Sequence, residues 1–152
     1  MPDKSKALVI PGEISISYKY SAGLAGTRFL NELKDNAKFM ATRCKKCGYT
    51  MMPPRIFCED CFVDDVEWIE VSKTGKIVTF AVSYMSTDGK RLKDPWMLAV
   101  VKIDGTDGGL LVRLEEVKPD DVKIGMNVEA VLIPKNERKG MITDIKYFKP
   151  SK

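Results

Sequence analysis

The chain has 152 residues, 44% of them hydrophobic and 30% charged, which is enough for one ordinary domain or two small ones. No apolar run approaches the roughly eighteen residues of a membrane span, and no signal peptide opens the chain, so we expect a cytoplasmic protein without a membrane partner. The net charge of +4 suits an anionic ligand but is too small for a dedicated nucleic-acid binder.

Two features of the composition restrict the chemistry of the chain. It contains no histidine, and its four cysteines all belong to one motif. A Ser–His pair, a Cys–His pair or a histidine acid or base therefore cannot operate within this polypeptide. Lys, Tyr, Asp and Glu are not excluded, but no pattern marks a pair of them. We therefore predict no catalytic residue and expect a chain that is not a complete enzyme by itself.

Residues 1–20 are predicted to form an N-terminal arm. Ile14 and Ile16 alternate with polar neighbours, and Tyr18 and Tyr20 follow, which is typical of an extended segment with little core of its own. Two interpretations stay open, namely a partly ordered terminus and an arm that lies on a partner.

An amphipathic helix is predicted over residues 22–35, with Ser21 as its N-cap. Such an apolar stripe usually packs against its own domain, but the short cysteine-containing segment that follows the helix has little core to offer. Part of the stripe could therefore contact another subunit. Its members recur every three or four residues: Ala22, Ala25, Phe29, Leu33 and Ala37.

The four cysteines form two C-x2-C pairs separated by ten residues, namely Cys44, Cys47, Cys58 and Cys61. Each pair can surround one side of a single ion, so the spacing predicts a tetrahedral four-cysteine zinc site in a compact, rubredoxin-like zinc ribbon. Disulfides and free thiols do not explain the doubled spacing, whereas an iron site with the same ligands stays open. Four thiolates leave zinc no free position, so we predict a structural role. With the helix, the ribbon is assigned to residues 21–64.

Residues 65–150 are predicted to form a five-stranded OB-fold barrel, so the fold class is mainly β; an SH3-like barrel is the alternative. The first strand is expected to begin at Val66, kink at Gly75 and end near Tyr84. The other strands are predicted over residues 96–103, 110–115, 128–133 and 141–148, with a helical turn at 118–121.

Two loops of an OB-fold border its ligand face, which the second and third strands form. Here these loops are predicted at residues 86–94 and 134–140, and both are basic, so an anionic ligand could bind between them, although solvated lysines need no ligand. Arg113 either faces this side or is simply an outward residue of its strand. Tyr84 and Trp96 could stack on an aromatic base, but core packing is expected for both. The candidate ligand-binding residues are Lys90, Arg91, Lys93, Arg113, Lys135, Arg138 and Lys139.

Over residues 11–150 the layout resembles a family of zinc-ribbon and OB-fold proteins, long filed as a domain of unknown function, that accompanies thiolases and related acyl-CoA enzymes. The helix, the two cysteine pairs and the barrel occur in the order that this family shows. The residues that carry the resemblance are Phe29, Leu33, Cys44-Lys45-Lys46-Cys47-Gly48, Pro53-Pro54-Arg55, Cys58-Glu59-Asp60-Cys61, Trp68, Thr74-Gly75-Lys76, Ile124-Gly125-Met126, Val128 and Phe148-Lys149-Pro150.

The resemblance implies a zinc-binding accessory subunit that binds acyl-CoA or coenzyme A, or docks onto a thiolase-like, hydroxymethylglutaryl-CoA-synthase-like or acyltransferase partner. That partner would supply the nucleophilic cysteine and the catalytic histidine. Only the four zinc ligands carry over residue by residue. A single-stranded nucleic-acid binder and a small iron-containing electron carrier are the alternative functions.

Overall fold

In the computed structural model the described residues are 8, 10, 12–13 and 15–151. Residues 15–20 form neither helix nor strand, and Ile16, Tyr18 and Tyr20 are exposed. The remainder of the predicted arm, including Ile14, lies outside the described residues, and both interpretations of the arm stay predictions.

Helix α1 (Gly23–Asn36) confirms the predicted helix with one correction at its start. The N-cap is Ala22 rather than Ser21, whose hydroxyl instead accepts a hydrogen bond from the N–H of Gly23 at 3.1 Å. The helix ends because Ala37 adopts a left-handed conformation (φ 56°), which lets the N–H groups of Ala37 and Lys38 reach carbonyls of the last turn.

Three strands form the sheet of the zinc ribbon: β1 (Phe39–Cys44), β2 (Thr50–Met51) and β3 (Val66–Val71), in the order β2-β1-β3. The prediction that Val66 begins the barrel is wrong, because β3 pairs along its whole length with β1, from Phe39 opposite Val71 to Cys44 opposite Val66. Alternation within β3 identifies a strand but not its partner. The predicted division of the chain after residue 64 stays a prediction.

The remaining strands close the predicted OB-fold barrel in the order β4-β5-β6-β8-β7. All pairs are antiparallel except β6 with β8, which are parallel. At the predicted kink, the backbone of Gly75 in β4 lies close to the backbone of Lys102 in β5. A Cβ at Gly75 would lie 2.3 Å from the carbonyl oxygen of Lys102, so a side chain does not fit there. The strands are β4 (Thr74–Met85), β5 (Arg91–Ile103), β6 (Gly109–Leu114), β7 (Asn127–Leu132) and β8 (Ile145–Pro150).

Short 3-10 turns occupy two of the connections between barrel strands. The turn Pro119–Asp121 confirms the predicted helical turn between the third and fourth barrel strands. The turns Lys135–Glu137 and Ile142–Asp144 lie between β7 and β8, so β8 begins at Ile145, four residues later than expected.

One hydrophobic core joins the helix, the ribbon and the barrel. Phe29 and Leu33 of α1 are buried, and the ring of Phe29 lies 6.2 Å from that of Phe39 in β1. Phe39 in turn lies 6.4 Å from Phe148 in β8. The helix therefore packs on its own protein through these residues, whereas Leu24 at its start is 77% exposed. None of the described helices is long and apolar enough to cross a membrane.

Candidate metal centre and ligand-binding face

The four cysteines converge at one end of the ribbon. Cys44 ends β1, and Cys58 forms an isolated bridge with Val63; both are buried, whereas Cys47 is exposed. All four Sγ atoms lie within 4.8 Å of one another, and those of Cys47 and Cys58 are 3.8 Å apart. A tetrahedron with zinc–sulfur bonds of about 2.3 Å has edges of about 3.8 Å, so the cluster fits zinc.

The two cysteine pairs are held by equivalent backbone turns. The N–H of Gly48 donates to the carbonyl of Cys44 at 2.8 Å, and the N–H of Phe62 donates to that of Cys58 at 2.9 Å. Both residues follow the second cysteine of a pair, and both have positive φ, +78° at Gly48 and +53° at Phe62. Glycine adopts a positive φ without steric cost, so Gly48 is a signal for such a turn in the sequence. Phe62 was missed, although its position after Cys61 is the same.

The thiols strongly influence one another's ionisation. Hydrogen bonding from the backbone N–H of Cys47 lowers the pKa of the Cys44 thiol to about 7. The pKa of Cys61 is raised to about 12, first by its hydrogen bond with the Cys47 sulfur and then by burial. Sulfurs this close cannot all ionise unless a cation balances them, so the chemistry of the cluster favours a bound metal.

The loop between the two pairs is fixed by a buried threonine. The hydroxyl of Thr42 in β1 donates to the carbonyl of Arg55 and accepts from its N–H, each at 2.9 Å. The Arg55 guanidinium also pairs with Glu59, inside the second cysteine motif. These contacts hold the second pair against the first, which supports the structural role predicted for the metal.

The structure places the candidate basic residues in two groups and leaves Arg113 apart from both. The first group lies at the start of β5. Arg91 and Lys93 belong to β5, because that strand begins five residues before the predicted start, and Lys90 pairs with Asp88 at 2.8 Å. Arg113 lies elsewhere: it lines a cavity of about 340 Å³ together with Leu111, Ile142 and Thr143.

The second basic group lies in the connection between β7 and β8. Thr143 also lines the neighbouring cavity, which contains Arg138 and Lys139. Arg138 points inward, since its Nε donates to the Ile133 carbonyl at 2.9 Å and its Nη1 to that of Lys34, at the end of α1, at 3.4 Å. Lys135 and Lys139 are exposed. A common ligand for the seven residues stays a prediction.

The predicted ligand face of the barrel is mainly apolar. Trp96 is 54% exposed and Tyr84 is 50% exposed, so the expectation that both pack in the core is wrong. The Arg113 guanidinium lies 5.2 Å from the centre of the Trp96 ring and pairs with Glu115 at 3.0 Å. Arg113 is thus an outward residue of β6, between the buried residues Val112 and Leu114.

Sequence reasoning missed the outward leucines on this face. Leu98 in β5 and Leu111 in β6 are 40% and 68% exposed. The available signal was the continuous apolar run in each strand: a barrel strand buries only one side, so such a run must place apolar residues outside.

Comparisons with known proteins agree with this architecture. Residues 33–67 match the family model of the rubredoxin-like zinc ribbon domain of ChsH2, and residues 68–132 match that of the ChsH2 C-terminal OB-fold domain. Together with the clustered cysteines, the ribbon match supports structural zinc.

Similar curated proteins are archaeal. A DUF35 domain-containing scaffold protein of Methanocaldococcus jannaschii is 31% identical over 127 residues, which cover 81% of this chain and 89% of that protein. A protein of the same description from Pyrococcus furiosus is 26% identical over 106 residues, covering 69% of this chain and 76% of that protein.

Two solved structures share the fold. A DUF35-family protein of unknown function from Sulfolobus solfataricus is 30% identical with a TM-score of 0.62, covering 72% of this chain and 78% of that one. A chain of the Ltp2-ChsH2(DUF35) aldolase is 19% identical with a TM-score of 0.63, covering 87% of this chain and 98% of that one. With its zinc ribbon, its OB-fold barrel and these relatives, the chain belongs to the DUF35 family.

Proposed function

We propose that this chain is a non-catalytic, zinc-stabilised accessory subunit of a cytoplasmic thiolase-type acyl-CoA complex. The observation that carries the proposal is the relative of 31% identity that is described as a DUF35 domain-containing scaffold protein and is matched over 89% of its length. The aldolase structure with the same fold pairs the names Ltp2 and ChsH2(DUF35), which is consistent with a separate catalytic partner.

The composition of the chain supports a non-catalytic role. It has no histidine, and its only cysteines are the four that converge on the metal site. When bound, zinc would hold the two cysteine turns together and would have no open position for a substrate. A thiolase-like or hydroxymethylglutaryl-CoA-synthase-like partner would therefore have to supply the nucleophile and the acid–base groups.

Within this proposal the chain also helps to hold the CoA moiety. Coenzyme A is rich in phosphate charge, and Lys90, Lys93 and Lys139 are exposed cations on the two predicted rim segments. Arg138 is a poor candidate for this contact, because its guanidinium already binds the carbonyls of Ile133 and Lys34. Its expected role is to hold the rim loop against helix α1.

The test begins with affinity capture of the tagged chain from native extract, followed by identification of bound proteins by peptide mass. We expect a thiolase-type subunit in stoichiometric amount. Calorimetry of the purified complex with an acyl-CoA should then show weaker binding when Lys90, Lys93 and Lys139 are changed to Gln. Matched changes at three exposed lysines on other connections, Lys73, Lys118 and Lys123, should leave the affinity unchanged.

Each part of the proposal can fail separately. If the chain stays monomeric when mixed with its candidate thiolase-type subunit, the scaffold function is wrong. If the complex forms but the rim variants bind acyl-CoA as tightly as the control variants, Lys90, Lys93 and Lys139 do not contact the CoA moiety.

A further inference from the structure

The outer side of strands β4, β5 and β6 forms one continuous surface, which we call the outer sheet face. Paired residues of antiparallel strands point to the same side, and Met97, Ala99 and Val101 point into the core. The residues between them, and their partners in β4 and β6, therefore point outward. The outer sheet face contains Lys76, Thr79, Ala81 and Ser83 of β4, Trp96, Leu98, Val100 and Lys102 of β5, and Leu111 and Arg113 of β6.

The centre of the outer sheet face is apolar and open to solvent. Leu98 lies opposite Arg113, and Val100 lies opposite Leu111, so these side chains are neighbours across the strands. Leu111 is 68% exposed, and Ile142, 49% exposed, lines the same cavity. Contiguous exposed apolar side chains bordered by polar residues are typical of interaction sites on soluble proteins.

The charges around this apolar centre are mainly positive. Lys76 and Lys102 lie opposite each other at one end, and Arg113 and Lys146 line the cavity beside Leu111. The Arg113 charge is compensated by the Glu115 carboxylate at 3.0 Å, so the net positive charge of this surface comes from Lys76, Lys102 and Lys146. The surface therefore complements a partner whose apolar contact residues are surrounded by carboxylates.

Two other occupants fit this surface less well. In a symmetric pair of these chains the same patch would face itself, which would bring its excess lysines together. Single-stranded nucleic acid needs several aromatic side chains along a basic groove. Here the central side chains are aliphatic, and the Arg113 guanidinium lies over the Trp96 ring.

We infer that the outer sheet face is the surface on which this chain binds its catalytic partner, through an apolar segment of that partner flanked by Asp or Glu. This inference rests on the proposed accessory function and names the surface that would perform it. It uses the side of the barrel on which an OB-fold normally carries its ligand, but for a protein contact.

The test uses the thiolase-type subunit that is captured with the wild-type chain, identified by mass and then purified on its own. Leu111→Glu should weaken its binding about tenfold or more, since it places a charge at the apolar centre. The matched control is Ile124→Glu in the loop before β7, because Ile124 is 69% exposed and lies outside this face. Lys102→Glu should slow association and reduce its dependence on salt, whereas Lys123→Glu should not.

Each result has a defined consequence. Loss of binding in Leu111→Glu, with full zinc content, an unchanged thermal midpoint and normal binding by Ile124→Glu, supports the inference. Equal binding by both variants overturns it but leaves the accessory function intact. If complex formation protects α1 from hydrogen exchange but not β5 and β6, the inference is likewise overturned and the accessory function stays intact. If the wild-type chain captures no thiolase-type subunit, the proposed function fails and this inference fails with it.

Discussion

Thr50 in the zinc ribbon and Asp107 in the barrel are joined by a reciprocal pair of hydrogen bonds. The N–H of Thr50 donates to the Asp107 carboxylate at 2.9 Å, and the N–H of Asp107 donates to the carbonyl of Thr50 at 2.9 Å. Asp107 lies between β5 and β6, the two strands that supply most of the apolar centre of the outer sheet face. The ribbon therefore contacts the barrel at the connection that orients this face.

Asp107→Ala removes the side-chain half of this contact. We expect the free energy of unfolding to fall by about 1.5 kcal/mol, the lower end of the range for hydrogen bonds to a charged group, because Asp107 is exposed. Urea denaturation of the zinc-loaded protein measures this difference. Asp120→Ala, at an exposed carboxylate in the 3-10 turn Pro119–Asp121, is the control and should be neutral. Equal stability of the two variants would mean that the Asp107 carboxylate does not help to hold the ribbon against the barrel.

Gly108, the residue after Asp107, lies close to the backbone of Met52 in the ribbon. A Cβ at this position would lie 2.1 Å from the carbonyl oxygen of Met52 and 2.8 Å from its nitrogen. Because both contacts are with backbone, Gly108→Ala must displace the ribbon or the turn, and we expect a loss of about 1–3 kcal/mol. Urea denaturation checks this, with Gly12→Ala as the control because a Cβ there meets nothing within 4 Å. If Gly108→Ala leaves the free energy of unfolding unchanged, the ribbon and the turn at Gly108 can move apart without loss of stability.

The local features of this fold could be predicted from the sequence, because each depends on a short pattern. The spacing of the cysteines determined the metal site, and the period of Phe29 and Leu33 determined the buried side of the helix. Phe80 and Val82 of β4 alternate with the smaller residues Thr79, Ala81 and Ser83, and both pack against the core opposite Ala99 and Met97. These assignments needed no knowledge of distant contacts.

The features that were missed depend on contacts between distant residues or on a conformation unusual for the residue type. Nothing in β3 shows that Val66 pairs with Cys44 rather than continuing into the barrel. Phe62 and Gly48 both adopt a positive φ. A glycine indicates this conformation in a sequence, whereas a phenylalanine does not. The inward side chain of Arg138 could not be distinguished from that of a solvated rim residue, because its acceptor at Lys34 is 104 residues away.

Asp144 should make the stability of the protein depend on pH. Burial raises the pKa of Asp144. This effect is outweighed by hydrogen bonds from the N–H groups of Lys139, Gly140 and Met141 and by the charge of Arg138, so the net shift of the pKa is downward. A carboxyl group with a lowered folded-state pKa stabilises the protein above its ordinary pKa of 3.8, and this contribution is lost as the pH falls through the folded-state value.

We therefore expect Asp144→Asn to lower the free energy of unfolding by about 1.5–3 kcal/mol at pH 7, the range for hydrogen bonds to a charged group. The difference from wild type should shrink below a pH of about 4. Paired urea curves at each pH measure it, and any loss of zinc in acid affects both proteins alike. Asp120→Asn should match wild type throughout. If the stability difference between Asp144→Asn and wild type stays constant with pH, the Asn side chain destabilises the protein for steric reasons and not because it lacks charge.

Removal of the metal should unfold the ribbon before the barrel. The loops that carry the cysteines have little backbone pairing of their own, since β2 pairs with β1 at two positions, whereas structural zinc contributes on the order of 10 kcal/mol in small zinc modules. We expect a chelator, or Cys61→Ser, to speed hydrogen exchange in β1 and β3 far more than in β5 and β6. Elemental analysis should find one equivalent of zinc in a colourless preparation, and zinc added after chelation should restore protection. Iron in place of zinc would contradict the assignment, and unchanged exchange in the metal-free chain would show that the ribbon folds without its ion.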